Sequence, residues 1–282
     1  GTQAMIVMDE TSQRLLHCRR LEPADVSNLI AYLEKDRANN LFLLANRDQL
    51  GFAHPDLWYY GAFDARGQLA GALMLFRRNA GVFWHDARAL PDFAEIMRQE
   101  KAGAISGRRD LVDPLLERLP AAAVVLRIAA GLARVTETSL RSWPERGERL
   151  AALDDLELLV DLYAHNLLFS NQSRQDHRER IRAVLAAGGL ITMIEREGMA
   201  VAAARTSAIG HGMAMIGGVI TLPEWRRQGF AKACTGLLSR ILIDRRCEPH
   251  LTYDRNEPGP RATYGGLGYQ DVADWTIAFL NW

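Results

Sequence analysis

Apolar residues along the chain follow two periods in turn, and the alternation predicts a repeated mixture of helices and strands. Val26, Leu29, Ile30 and Leu33 recur at helical spacing behind Glu22-Pro23-Ala24-Asp25, which opens the helix. Leu41 to Ala45 is a second short apolar segment. Trp58 to Phe63 reads as a strand, Asp64 to Gly67 as a turn and Leu69 to Phe76 as the returning strand. Gly81 to Trp84 predicts another strand, Pro91 to Arg98 a helix, Gly103 to Ser106 a short strand and Leu111 to Leu119 a helix.

A second pattern of the same kind begins near Leu150. Asp154 and Glu157 have capping-box spacing, and Leu156, Leu159, Val160, Tyr163 and Leu167 follow on one helical face. Arg174 to Ala187 predicts a further helix, with Ile181, Val184 and Leu185 inward and Gly188-Gly189 as its stop. Strands are expected at Leu190 to Glu195, Met199 to Thr206 and Met213 to Thr221. Phe230, Cys234, Leu237, Leu238, Ile241 and Leu242 then mark an amphipathic helix. Leu251 to Tyr253 is a strand, about Pro260 to Tyr264 a short helix and Trp275 to Leu280 the last strand. Both patterns run from paired helices through a meander to a helix, as a diverged internal duplication would. The expected class is α+β, sandwich-like, with two mixed-sheet domains in tandem at 14–125 and 150–282, joined by a connecting segment at 126–149.

Composition narrows the function classes. The 282 residues suffice for two domains, and 48% hydrophobic with 24% charged residues excludes a disordered chain. Lys+Arg and Asp+Glu each number 34, so no global basic field exists to hold nucleic acid or an anionic membrane. Cys18, Cys234 and Cys247 are scattered, offer no disulfide framework and suit a cytoplasmic location. The histidines never stand at ligand spacing, so no metal site is expected. The charge-free stretch from Thr206 to Pro223 contains four glycines and does not read as a membrane span. The segment GTQAMIVMDE lacks a basic n-region and a long apolar h-region, so it does not read as a signal peptide.

The chemistry-bearing stretch runs from Val219 through Ile220, Thr221, Pro223, Glu224, Arg226, Arg227, Gln228, Gly229, Phe230 and Ala231 to Lys232. A strand ends, Pro223 breaks it, and a helix opens at about Gly229. First-turn amides lack intrahelical partners and stand at the positive end of the helix dipole, which makes an anion site. Gly229 admits the anion to the main chain, Ala231 keeps the next contact small, and Arg226, Arg227 and Lys232 add charge. The chemistry implied is recognition of a pyrophosphate. The blander readings are a helix start for Gly229 and Ala231, and a solvated pair for Arg226 and Arg227. A second segment holds Asn256, Tyr264 and Gly268-Tyr269.

Taken in order, Pro223, Arg226, Gly229 and Ala231, then Tyr264 with Gly268-Tyr269, resemble the GNAT acetyltransferase superfamily over roughly residues 150 to 282. Asn256 departs from the pattern by lying eight residues before Tyr264, where seven is usual. The resemblance implies acetyl-coenzyme A as co-substrate, no metal, and an acyl-CoA-dependent N-acyltransferase that acetylates a primary amine by direct attack. It implies that the strands at Met213 to Thr221 and Leu251 to Tyr253 splay apart. Pantetheine would then bond near Val219, Ile220 and Thr221, with the pyrophosphate on the amides from Gln228 to Lys232. Tyr264 would protonate the leaving thiolate, or else be a core-edge tyrosine. Base candidates are Glu195, His211 and Glu224, against a hairpin role for Glu195 and a surface-loop role for His211. The acceptor would be a small-molecule amine or a peptide N-terminus in the cleft between the halves. The oligomeric state stays open, a homodimer included. The first half resembles a degenerate copy of the same fold, of the tandem bacterial type, with its cofactor junction expected at Ile105 to Asp110. The main alternative function is a non-catalytic acyl-CoA-binding or regulatory module, and a second is a protein-interaction scaffold in which neither half binds coenzyme A.

Overall fold

The predicted alternation is realised as twelve strands and eight helices in a computed structural model that describes residues 16–165 and 172–282. In chain order the elements are β1 (His17–Arg20), α1 (Val26–Leu33), α2 (Leu41–Leu50), β2 (Leu57–Phe63), β3 (Leu69–Phe76), β4 (Asn79–Trp84), α3 (Leu90–Gln99), β5 (Ala104–Arg108), α4 (Arg109–Leu116) and β6 (Val124–Arg134). There follow β7 (Arg149–Leu150), α5 (Leu156–Tyr163), α6 (Arg174–Ala186), β8 (Ile191–Arg196), β9 (Met199–Gly210), β10 (Met213–Thr221), α7 (Phe230–Asp244), β11 (Glu248–Asp254), α8 (Pro258–Gly266) and β12 (Gln270–Leu280). Leu167, expected on the face of α5, lies outside the described residues.

These elements fall into two units. The first comprises the described residues up to Asn40, Phe52–Arg127 and Thr276–Trp282; the second comprises Leu41–Gly51 and Ile128–Trp275. In the first, the strands lie in the order β1-β2-β3-β4-β5, antiparallel except for the parallel pair β4/β5. In the second they lie in the order β6-β11-β10-β9-β8-β7, again with one parallel pair, β10/β11. Strand pairing within each unit is therefore mixed, as the α+β reading expects. The segment expected to connect the halves supplies Arg149 of β7 and most of β6. Ala130 to Arg134 of β6 run antiparallel to β11, opposite Asp254 to His250. Helix α2, from the first half of the sequence, belongs to the second unit. Gln49 accepts from the Ile209 amide at 3.1 Å and donates to the Ala187 carbonyl at 3.2 Å.

Each unit begins with the same clamp. In the first, Arg19 donates twice to Asp25, at 2.7 and 2.8 Å, and the Glu22 amide donates to Asp25 at 2.8 Å. In the second, Arg149 donates twice to Asp155, at 2.8 and 2.7 Å, and the Ala152 amide donates to Asp155 at 2.8 Å. The next strand closes alike: the Leu21 amide bonds the Tyr59 carbonyl and the Ala151 amide bonds that of Ile191, both at 2.8 Å. The same Arg-to-Asp spacing of six residues thus recurs in the two units. It also corrects the expected capping box, because Asp155 rather than Asp154 bonds back to the chain, while Glu157 pairs with Arg174 and Arg178. The apolar faces then do the packing. Phe230, Ala233, Cys234, Leu238 and Leu242 of α7 are buried, and the Thr192 hydroxyl of β8 donates to the Cys234 carbonyl at 2.7 Å. Each fully buried leucine contributes about 1.5–3 kcal/mol.

Two outcomes follow from this architecture. A fragment of residues 150–282 lacks β6 and α2, so β11 keeps an unpaired edge; it should give no cooperative melt by circular dichroism, whereas the full chain should. Arg149 hydrogen bonds hold the Asp155 carboxyl below the ordinary value of 3.8. Stability from this pair is therefore present above the ordinary carboxylate range and lost as pH falls through the lowered value. Asp155→Asn should cost about 1–2 kcal/mol near neutral pH, and urea titrations at decreasing pH should show that difference shrinking below about pH 4.

Candidate active site

Strands β10 and β11 pair over only four positions, from Met213 opposite Glu248 to Ile216 opposite Leu251. Beyond that point β10 continues to Thr221 and β11 to Asp254 without pairing to each other. On its other side β10 stays paired to β9, but the register shifts between Gly217 and Ile220. Such a bulge bends a strand and turns it away from its neighbour. Gly218 within it is left-handed, with φ of 53°, and its carbonyl accepts from the Tyr163 hydroxyl of α5 at 2.7 Å. Burial raises the Tyr163 pKa, so the hydroxyl stays a donor. Val219, Ile220 and Thr221 are half-buried along the diverging stretch. Backbone groups on this edge are the kind that an extended, amide-bearing ligand can pair with.

The strand leads through a short turn at Pro223–Trp225 into α7. Arg226 folds back, its Nε donating to the Thr221 carbonyl at 3.2 Å. Arg227 and Gly229 are both left-handed, with φ of 61° and 78°. Left-handed residues in a loop of this kind turn N–H groups toward one concavity. Gly229 is the N-cap, and the first helical bond runs from the Ala233 amide to the Gly229 carbonyl at 3.0 Å. The amides of Phe230, Ala231 and Lys232 are thus left for an external acceptor. Arg226, Arg227, Gln228 and Gly229 are exposed or nearly so, while Phe230 is buried against Trp225 and under the Arg196 guanidinium.

One cation here comes from a part of the sequence that local reading does not reach. Arg146 donates from Nε to the Gln228 carbonyl at 3.0 Å. Its amide bonds Glu148, and its carbonyl accepts from Arg196. The Trp143 indole donates to Glu148 at 2.7 Å and packs where a side chain on Gly236 of α7 would stand. The connecting segment is thereby laid along α7 with Arg146 at its N-terminal end. Among the described residues, Arg146, Arg196, Arg226, Arg227 and Lys232 form no ion pair with a carboxylate, so the helix dipole and five cations act together on this spot.

Tyr264 lies on α8, which starts at Pro258 rather than near Pro260. It is buried, edge-on to Tyr269 at 6.1 Å between ring centroids, and burial pushes its pKa up to about 12. It therefore carries its proton at any neutral pH. Asn256 is exposed in the turn before α8, with its amide bound to Asp254. The base candidates are not brought together. Glu195 sits near the end of β8, bound to Arg149 at 3.2 Å. Its neighbour Ile194 pairs with Ala202, which pairs with Thr221, so Glu195 is two strands from β10, near the Thr221 end. His211 occupies the β9–β10 turn at the opposite end of β10, with φ of 55° and Nδ1 at 3.3 Å from Asp48. Glu224 is exposed in the turn at Pro223–Trp225.

The first unit repeats the geometry with its helix start filled. Its parallel pair stops after Asn79 opposite Ala104 and Ala80 opposite Ile105. Trp84, at the end of β4, donates to the Leu111 carbonyl of α4 at 2.9 Å. The element order places the junction equivalent to Pro223–Gly229 after β4, at His85 to Ala89, which corrects the expected Ile105 to Asp110. There Asp86 is the cap: it accepts from the Arg88 amide at 3.0 Å and from the Arg88 guanidinium. The chain supplies its own anion where the second unit leaves the place open.

Among the described residues, no helix is long and apolar enough to cross a membrane, and no group of three His, Cys, Asp or Glu could hold a metal ion. Residues 156–269 match the Acetyltransferase (GNAT) family. No curated protein matches the sequence. Among solved structures, a GNAT-family acetyltransferase from Colwellia psychrerythraea is 13% identical with a TM-score of 0.60, covering 94% of this chain and 100% of its own. A tandem GNAT protein from the clavulanic acid biosynthesis pathway is 13% identical at a TM-score of 0.60, over 93% of this chain and 97% of its own. A GCN5-related N-acetyltransferase-like protein from Streptococcus suis is 18% identical at a TM-score of 0.61, over 92% and 99%. The second unit therefore carries a GNAT-family acetyltransferase domain, in a chain with the fold of the tandem GNAT proteins.

Proposed function

We propose that the protein is an N-acyltransferase that moves an acetyl group from acetyl-coenzyme A to a primary amine by direct attack. One observation carries the reading. The edge that β10 turns away from β11 runs straight into a cation-rich helix N-terminus. An extended amide-bearing arm followed by a pyrophosphate has that sequence of needs. Pantetheine would pair along Val219, Ile220 and Thr221. The pyrophosphate would rest on the amides of Gln228 to Lys232, with Arg146, Arg227 and Lys232 beside it.

In the proposed reaction the amine nitrogen bonds to the thioester carbonyl carbon and the C–S bond breaks. The nitrogen gives up a proton and the departing thiolate takes one. Tyr264, kept neutral by burial, is the proposed donor to the thiolate. Glu195 is two strands from β10, His211 is at the opposite end of β10, and Glu224 is in the exposed turn that follows it. The proton of the amine is therefore proposed to leave through water.

Calorimetry with acetyl-coenzyme A tests the reading on the full chain. Wild type should bind in the micromolar range. Gly229→Glu, which sets a carboxylate on the amide cradle, should lose at least about 100-fold. Arg146→Gln, which leaves the loop backbone unaltered, should lose about tenfold, equivalent to roughly 1.4 kcal/mol. Tyr264→Phe should bind but lower kcat by about 10²-fold or more on an amine acceptor. No binding by wild type would overturn the reading. Binding without turnover on any amine would leave the acyl-CoA-binding module in its place.

A further inference from the structure

Arg205 on β9 lies beside the bulge of β10. It is half-buried, and among the described residues no carboxylate pairs with it. Arg149, Arg174 and Arg178 all have acidic partners. A guanidinium withdrawn from water without a counter-ion is costly, and a ligand can supply the missing charge.

Its direction follows from the pleat. Thr192 pairs with Ala204, and the Thr192 hydroxyl bonds the Cys234 carbonyl of α7. Ala204 therefore faces α7, and the next residue, Arg205, faces the opposite side. There it stands over the ring of Tyr163, at 5.9 Å from the centroid. Arg205 pairs across the ladder with Gly217, just past the last β10–β11 pair. The two glycines of β10 make room for what lies above them. A Cβ on Gly218 would stand 2.6 Å from Arg205 Nε, and one on Gly217 would collide with the Ser207 hydroxyl. A guanidinium and a hydroxyl thus converge on the bulge where β10 leaves its partner. Tyr163 adds no negative charge, since its hydroxyl is protonated and already donates to Gly218.

We infer that the acceptor is an amine carrying a carboxylate within a few bonds of its nitrogen, and that Arg205 binds that carboxylate. This rests on the acyltransferase reading above, which puts the reacting thioester at the bulge. An arginine fork matches a carboxylate through two parallel N–H donors. With the guanidinium beside Gly218, a carboxylate on it leaves an amine a few bonds away at the gap between β10 and β11. Ser207 is placed to donate to the same carboxylate. An acceptor that is only cationic, such as a polyamine, would meet an uncompensated guanidinium there.

The test uses the full chain and matched pairs of acceptors: glycine, β-alanine, serine and glutamate, each against its α- or terminal carboxamide. Thiol release gives kcat/KM for every pair in wild type, Arg205→Gln and Arg205→Lys. Wild type should favour the acid by about 100-fold or more, chiefly through KM. Arg205→Gln should shrink that ratio at least tenfold, and Arg205→Lys should retain part of it. Carboxamides that react as well as acids in wild type would overturn the inference, as would a ratio unchanged in Arg205→Gln. Thermal shift with the same pairs, with and without coenzyme A, reads binding independently of turnover. Acid-selective stabilisation that depends on Arg205 supports the inference, and its absence overturns it. Acetyl-coenzyme A binding to wild type is measured on the same preparation. If that fails, the acyltransferase reading falls; if it succeeds without acid selectivity, only the role of Arg205 falls.

Discussion

The parting of β10 from β11 after Ile216 is the constraint on which the rest of the second unit depends. A parallel pair that stops after four residues forgoes ladder hydrogen bonds that both strands are long enough to make. Each freed backbone group must then find another partner or face a ligand. The protein satisfies some of them itself. Tyr163 holds the Gly218 carbonyl, and Arg226 holds that of Thr221. These bonds brace the strand from α5 on one side and from the loop into α7 on the other, so the gap is part of the folded state. The bulge puts its extra residue on β10, which lets that strand turn without losing its antiparallel partner β9.

The first unit has the same frame with its helix start filled. It has the same opening clamp, Arg19 with Asp25 in place of Arg149 with Asp155. It has the same short parallel pair. At the helix that follows β4, however, Asp86 bonds the Arg88 amide and guanidinium. A carboxylate fixed at a helix start takes the bonds a phosphate would take and repels a second anion. Trp84 reaches from the end of β4 to α4, where the second unit leaves a strand edge exposed.

Features set by residues close together along the chain are legible in the amino-acid sequence. The run from Pro223 to Ala231 is one, because strand end, turn, cap and first helical turn all lie within it. Helix and meander positions are legible too, since each has its own period of burial. Features set by distant partners are not. β6, with the sequence VVLRIAAGLAR, has arginines and small residues in place of clean alternation, and its partner β11 lies over a hundred residues away. α2 reads as an apolar continuation of α1, yet Gln49 ties it to Ile209 and Ala187. Arg146 sits in a polar stretch with no period, 82 residues before the carbonyl it binds. Local sequence misplaces the first unit's junction for a related reason. Element order decides which loop corresponds to which, and an acidic cap does not look like a phosphate loop.

The chain is neutral overall, with 34 basic and 34 acidic side chains, and many of its arginines are spent on acidic neighbours. Pairs such as Arg149 with Asp155 serve the fold and leave little field outside it. Net charge therefore says nothing about where an anion would bind. The placing of particular unpaired cations says more, and six of those in the second unit stand at two levels of β10. Arg226, Arg227, Lys232, Arg146 and Arg196 surround the helix that follows its end, and Arg205 lies beside its bulge. Each is a place where the protein has withheld a carboxylate of its own. The two levels are separated along β10 by the stretch that β11 does not cover, so an anion at each end would be joined by whatever lies along that edge.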